Sequence, residues 1–231
     1  MKNLKCTSFI LFLLVLLIPL SSASAHRPIW GEQYGPIEIP DLRTSFAVYR
    51  NLDSGQIDVY TFESEAGQDL HAGIQIPAVD GLEEYGVTTA LFGPGLPEAD
   101  PNALPPDHPE DLGALVFPSN VSADFFEPFT QTTYWGRQQI DLALPADGAY
   151  YLLVWHPDGQ PGKYVLDTGR AEVFEPADVL RFPVWWLRVH IFFGHGPALA
   201  LTGVLIALAV LLVVVRKRTK KQPSKGVSHD D

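Results

Sequence analysis

Cysteine and methionine are all but missing. One of each occurs in 231 residues, Cys6 and Met1, both at the extreme N-terminal end. A single cysteine excludes an intramolecular disulfide framework and a Cys-based zinc site. Because Cys6 falls in a segment read below as a removable leader, a cysteine nucleophile is excluded from the remainder as well. Lysine is scarce in the middle of the chain, where Lys163 stands alone between residues 26 and 196. That stretch carries eight basic side chains against 25 acidic ones, a balance of −17. Such a surface repels phosphate backbones and excludes the nucleic-acid binders, which need a basic face. Catalytic signatures are missing too. The chain has no Gly-x-Ser-x-Gly, no His-Glu-x-x-His and no glycine-rich phosphate loop, so no residue is singled out as catalytic. What is present is a 46% hydrophobic, 19% charged composition, that of a folded chain rather than a disordered one.

Both ends read as addresses. Residues 1–25 combine two early lysines, an apolar run over 9–20 and the small residues Ser21-Ser22-Ala23-Ser24-Ala25. A basic start, a core too short to span and a small-residue site describe a secretory signal peptide, with cleavage after Ala25 leaving His26 as the new N-terminus and a cut after Ala23 as the alternative. Residues 197–215 hold no charge, and as a helix they would extend about 28 Å, near the hydrocarbon thickness of a bilayer. Residues 216–231 follow with a balance of +4, opening on Arg216-Lys217-Arg218. Positive residues stay on the cytoplasmic side, so the expectation is a single-pass cell-membrane protein with its N-terminal bulk outside and its C-terminus cytoplasmic. Residues 178–196, rich in Trp, Phe and Val, read as a partly helical juxtamembrane segment at head-group level, with His190 and His195 as interfacial anchors.

Residues 26–177 read as the exterior domain. Short strands are expected at 45–50, 57–63, 70–76, 88–92, 114–117, 129–135, 139–144, 150–156 and 164–168, separated by Gly, Pro, Asn and Asp. Val59, Thr61 and Glu63 alternate with Tyr60 and Phe62, and Ile140, Leu142 and Leu144 form one apolar face. Residues 150–155 are nearly continuously apolar, as a central strand is. This pattern predicts an all-β, jelly-roll-like two-sheet sandwich followed by one C-terminal transmembrane helix. Residues 93–113, with six prolines and five acids, read as a long stiff surface loop and a candidate recognition element.

Three segments carry a resemblance. Gly55-Gln56-Ile57-Asp58-Val59-Tyr60-Thr61-Phe62, then Ala66-Gly67-Gln68-Asp69-Leu70, resembles the opening strands of the bacterial pre-peptidase C-terminal type of domain, a secreted β-sandwich. Ala146-Asp147-Gly148-Ala149-Tyr150-Tyr151-Leu152-Leu153-Val154 resembles its closing strand. The likeness spans residues 56–168 with an insertion between 93 and 129. It implies the sandwich fold and a non-catalytic accessory role, and it transfers no functional residue.

Metal chemistry has two candidate sets. A mature N-terminal His26 offers an α-amine and an imidazole together, and a further imidazole from His156, His71 or His108 completes a three-nitrogen set suited to copper(II). The oxygen-rich loop residues Glu98, Asp100, Asp107, Glu110 and Asp111 could hold calcium. Tyr134-Trp135 and Tyr150-Tyr151 could stack on sugars or serve the core. Asn120-Val121-Ser122 is a glycosylation sequon. The expected function is a non-catalytic, membrane-anchored, extracytoplasmic sandwich presenting a surface to a protein or glycan partner. A copper-binding or redox protein built on His26 is the alternative.

Overall fold

Alternation along the strands decides which side chains meet between the sheets. In β4 (Ile57–Ser64), Tyr60 and Phe62 enter the main core while Ile57 and Val59 face the other way. In β5 (Asp69–Pro77), Leu70, Ala72, Ile74 and Ile76 turn inward and His71, Gly73 and Gln75 outward. The computed structural model describes residues 26–31, 34–120 and 124–219. The expected leader 1–25, Val121 and Ser122 of the sequon, and residues 220–231 of the basic tail lie outside the described residues.

The remaining strands are β1 (Arg27–Ile29), β2 (Ile37–Glu38), β3 (Phe46–Leu52), β6 (Thr88–Gly93), β7 (Gly113–Phe117), β8 (Asp124–Glu127), β9 (Thr132–Ala143), β10 (Gly148–Trp155) and β11 (Gly162–Thr168). They form a six-stranded sheet in the order β1-β3-β11-β5-β9-β8 and a five-stranded sheet in the order β2-β4-β10-β6-β7. Chain order alternates between the two sheets, β3 to β4 to β5 to β6, and returns from β9 through β10 to β11. This nested arrangement is jelly-roll-like, as the strand pattern predicts. Phe46, Val48, Phe62, Leu91, Ile140, Leu152, Val154 and Leu166 fill the space between the layers. Burial of this apolar surface is the main force holding the sheets face to face.

Two expectations need correction. The strand expected at 129–135 is interrupted, because residues 128–131 turn between β8 and β9 and Gln131 takes a left-handed φ of 53°. Past that turn β9 continues through Gly136, merging two expected strands into one of 12 residues, with a register shift against β5 at Ile74/Gln75. The expected surface loop, residues 93–113, is in fact a roof. Its Ala99, Leu104 and Leu112 pack with Ala90, Phe92, Ala114 and Leu153 on the outer face of the five-stranded sheet, making a second small core.

Between the sheets lies an ionic clasp. Arg50 of β3 and Asp58 of β4 are both buried and paired in a fork, Nε to Oδ2 at 2.9 Å and Nη2 to Oδ1 at 2.6 Å. Asp58 also accepts from Tyr164 Oη at 2.6 Å and Gln56 Nε2 at 2.7 Å, and the Tyr60 and Tyr164 hydroxyls meet at 2.6 Å. Four donors saturate the carboxylate, which offsets the cost of taking it out of water.

Two helices follow the sandwich, α1 (Pro176–Phe193) and α2 (Gly196–Thr219). Pro176 opens α1, where its missing N–H is no loss, and Asp178 in the first turn accepts from Glu175 N at 2.9 Å. Arg27 stands 3.4 Å from Asp178 and 3.7 Å from Glu175, tying β1 to the start of α1. The chain divides into two units at Arg181/Phe182. In the second, Trp186 stacks on His190 at 3.8 Å, and His190 Nδ1 donates to the Trp186 carbonyl at 2.9 Å. Gly194, with φ of 72°, closes α1. The expected span, 197–215, falls within α2 and is helical throughout. Among the described residues no helix is long and apolar enough to cross a membrane. The side chains of Ala198, Leu201, Leu205, Ile206 and Ala209, within the apolar run, lie outside the described residues.

Candidate functional site

The outer face of the six-stranded sheet carries a polar network. Register places His71 of β5 opposite Asp141 of β9, and Gly73 of β5 opposite Asp167 of β11. His71 Nδ1 donates to Asp141 Oδ1 at 2.7 Å, and Arg170 Nη2 reaches the same oxygen at 2.6 Å. Gln139 Nε2 donates to Asp141 Oδ2 at 2.7 Å. Gln139 first, then His71, hold the Asp141 carboxyl below the usual carboxylate range. On its other side His71 Nε2 faces Asp167 Oδ2 at 3.7 Å, and Asp167 Oδ1 accepts from Gln75 Nε2 at 3.0 Å.

Glycine makes this possible at one position. A Cβ on Gly73 would lie 2.6 Å from Asp167 Oδ1, so the missing side chain is the room in which the carboxylate rests. Beside the network opens a cleft of about 970 Å³. The turn at residues 65–68, the end of β9, and residues 169–171 leaving β11 form its walls. Chemically this is a grid of fixed charges. Both nitrogens of His71 face carboxylates.

A second depression, of about 100 Å³, lies further along the same face. Tyr49, Phe125, Phe129 and Tyr134 supply rings, and Glu127 and Asp167 supply carboxylates; His26, Ala47, Gln75, Thr130 and Val165 also line it. Phe125 stacks on Tyr134 at 5.3 Å, and Trp30 on Tyr49 at 4.9 Å. Glu127 is buried, and its two oxygens accept from the amides of Phe129 and Thr130 in the turn after β8. Among the described residues it has no ion-pair partner. Burial, and then the Glu127 charge, push the Tyr49 phenol well above its ordinary range. Burial and Tyr49 raise Tyr134, with Glu127 and Asp167 adding smaller contributions.

The histidines expected as copper ligands are held apart by separate partners. His26 Nδ1 bonds Ser45 Oγ beside the smaller depression, and His71 belongs to the network above. His156 stacks on Tyr85 at 5.1 Å after β10, and its Nδ1 accepts from Asp158 N at 3.1 Å. His108 stacks on Phe92 at 5.8 Å and donates to the Pro105 carbonyl at 2.7 Å. In the loop, Asp100 caps a short 3-10 turn, Pro101–Ala103, by accepting from Asn102 N at 2.9 Å. Among the described residues no three His, Cys, Asp or Glu side chains are grouped so as to hold a metal ion. Asp141, Asp167, Glu127 and Arg170 were missed by reading the sequence. The available signal was a polar residue at each outward position of an alternating strand, as in Gln139-Ile140-Asp141-Leu142.

No protein family's sequence profile matches the chain. No curated protein sequence matches it either. Solved structures do. A periplasmic inhibitor of g-type lysozyme, PliG from Aeromonas hydrophila, is 17% identical, with 58% of this chain and 96% of that chain covered and a TM-score of 0.34. The pre-peptidase C-terminal domain of collagenase from Bacillus anthracis is 18% identical, with 59% and 96% covered and a TM-score of 0.31. CorA, a surface-associated copper-binding protein from Methylomicrobium album BG8, is 10% identical, with 59% and 98% covered and a TM-score of 0.31. The likeness to a pre-peptidase C-terminal domain read from the sequence therefore has a counterpart among solved structures.

Proposed function

We propose that this chain is a non-catalytic, membrane-tethered, extracytoplasmic binding protein that meets a protein or carbohydrate partner with the outer face of its six-stranded sheet. The observation that carries the reading is the charge grid of His71, Asp141, Asp167 and Arg170 beside an open cleft, built on paired strands rather than on loops. Rigid strands fix polar groups more closely than loops do, which suits recognition. The leader at residues 1–25, the apolar run 197–215 and the basic residues after it support export and a single tether, with the sandwich outside. The roof over the other sheet argues against residues 93–113 as the recognition element, since its apolar side chains are already engaged. The metal alternative has no comparable support, because its ligands are not gathered.

The near absence of cysteine makes the test direct. In a Cys6→Ser background, Phe126→Cys is expected to react with a membrane-impermeant maleimide on intact cells or spheroplasts, and Ser228→Cys only after the membrane is opened. A photo-crosslinker attached at Glu65→Cys, on the cleft wall and outside the grid, is expected to give one defined adduct in cells, and one at Glu98→Cys none. The reverse labelling pattern overturns the topology. Equal adducts from both positions, or none from Glu65→Cys, overturn the binding face.

A further inference from the structure

The smaller depression has a composition that points to one kind of ligand. Its rings come from Tyr49, Phe125, Phe129 and Tyr134 and its charge from Glu127 and Asp167. At about 100 Å³ it is well below the roughly 300 Å³ from which pockets for drug-sized molecules begin, and several times the roughly 30 Å³ share of one water. A sugar ring or a peptide backbone is too large for it; one compact head group fits. Ring faces carry negative quadrupole density and attract cations, most strongly where water is excluded. The two carboxylates add net negative charge to the same wall.

Charge balance gives the second, independent reason. Glu127 is buried without a cationic partner among the described residues, its oxygens occupied only by two backbone amides. A carboxylate has lone pairs for about four hydrogen bonds, so capacity remains. Asp167, with its side chain 14% exposed, is met by an amide nitrogen and by an imidazole at 3.7 Å. Two mostly buried anions so weakly compensated favour a cation between them, because an uncompensated buried charge is costly.

We infer that the pocket of Tyr49, Phe125, Phe129, Tyr134, Glu127 and Asp167 is a binding site for an alkylated ammonium group. Methyl substituents on nitrogen would contact the four rings while the positive charge answers the two carboxylates. A methylated ammonium satisfies both features, whereas a metal ion would leave the rings unused. This rests on the binding-face reading above and narrows it to one ligand class at one end of that face.

The test uses the full chain in a maltoside detergent, which carries no ammonium of its own, and calorimetric titration with choline. Saturable binding is expected. The uncharged isostere 3,3-dimethylbutan-1-ol is expected to bind at least about tenfold more weakly, a difference of about 1.4 kcal/mol. The Nα-acetyl-lysine amide arm separates sources: tighter binding of choline assigns the site to methylated ammonium, and tighter binding of the lysine probe overturns that assignment. Phe125→Leu keeps an apolar side chain at an exposed position and is expected to weaken choline about fivefold or more, the size of a partly desolvated cation–π contact. Phe126→Leu, next to it on β8, is expected to change nothing. Asp167→Asn is expected to abolish the preference for choline over the isostere while far-ultraviolet circular dichroism stays unchanged. Equal binding of choline and isostere overturns the inference. So does a lack of saturable binding, including the case in which the chain's own amino group fills the space after cleavage before His26. Choline binding without the Glu65 adduct would fault the partner-face reading alone, and the adduct without choline binding would fault this inference alone.

Discussion

The two outer faces of the sandwich follow the same alternation rule and end in opposite conditions. On the five-stranded sheet the outward residues Ile57, Val59, Phe92, Leu153 and Trp155 are apolar, and residues 93–113 lie over them with Ala99, Leu104 and Leu112. On the six-stranded sheet the outward positions include His71, Gln75, Gln139, Asp141 and Asp167, and a cleft opens beside them. One face contributes to stability by burying carbon. The other keeps charges fixed by side-chain hydrogen bonds at the edge of water. Residual polar capacity therefore concentrates on the second, which is why a binding role is assigned there.

The largest effect expected to sharpen this contrast is at high pH. Tyr60 and Tyr164 are interior, while Tyr49 and Tyr134 line the polar face, yet burial raises all four phenols well above the ordinary range. The unfolded chain releases phenolic protons from about pH 10 upward, while the folded chain holds them. Folded protonation with raised values means stability is full below about pH 10 and falls as pH rises beyond it. Phenolate absorbance and loss of circular dichroism should therefore rise together in one transition. A separate early rise from two tyrosines would show that the polar face is wetter than described. Next in size is the roofed face: Phe92→Ala beneath the loop should cost about 3–5 kcal/mol in denaturant unfolding. A loss below about 1 kcal/mol would mean the roof does not bury what lies under it. The smallest effect is expected from Asp141→Asn on the polar face, less than about 1 kcal/mol at pH 7, since the pair is solvent-screened. Because the Asp141 carboxyl is held low, that contribution exists above the usual carboxylate range and disappears as pH falls through the depressed value. Variant and parent should thus converge in acid, by the same unfolding measurement.

The framework was readable from alternation because a strand exposes its period in its own residues. Ile140, Leu142 and Leu144 announce a face without any partner, and β10 announces a central strand by being apolar on both sides. The misplaced strand at 129–135 failed at Gln131, whose left-handed backbone no residue preference there signals. The site was far less legible. His71 and Asp141 are 70 positions apart, and only the pairing of β5 with β9 makes them neighbours. Asp167 over Gly73 depends likewise on the register of β11. The roof carried a signal that composition hid, since its few apolar residues stand among six prolines and five acids. The clasp was visible in principle: Asp58 shares its phase with Tyr60 and Phe62, and Arg50 shares its phase with Val48 and Leu52.

The two shortest strands have a consequence out of proportion to their length. β1 pairs in parallel with β3 and β2 in parallel with β4, so one N-terminal strap of the chain borders both layers on the same side. Without it, β3 and β4 would each present a row of bare amide and carbonyl groups, a template for self-association between copies. Cover for these two margins is thus built into Arg27–Ile29 and Ile37–Glu38. A strap that covers part of both margins at once leaves fewer bare backbone groups for another copy to pair with.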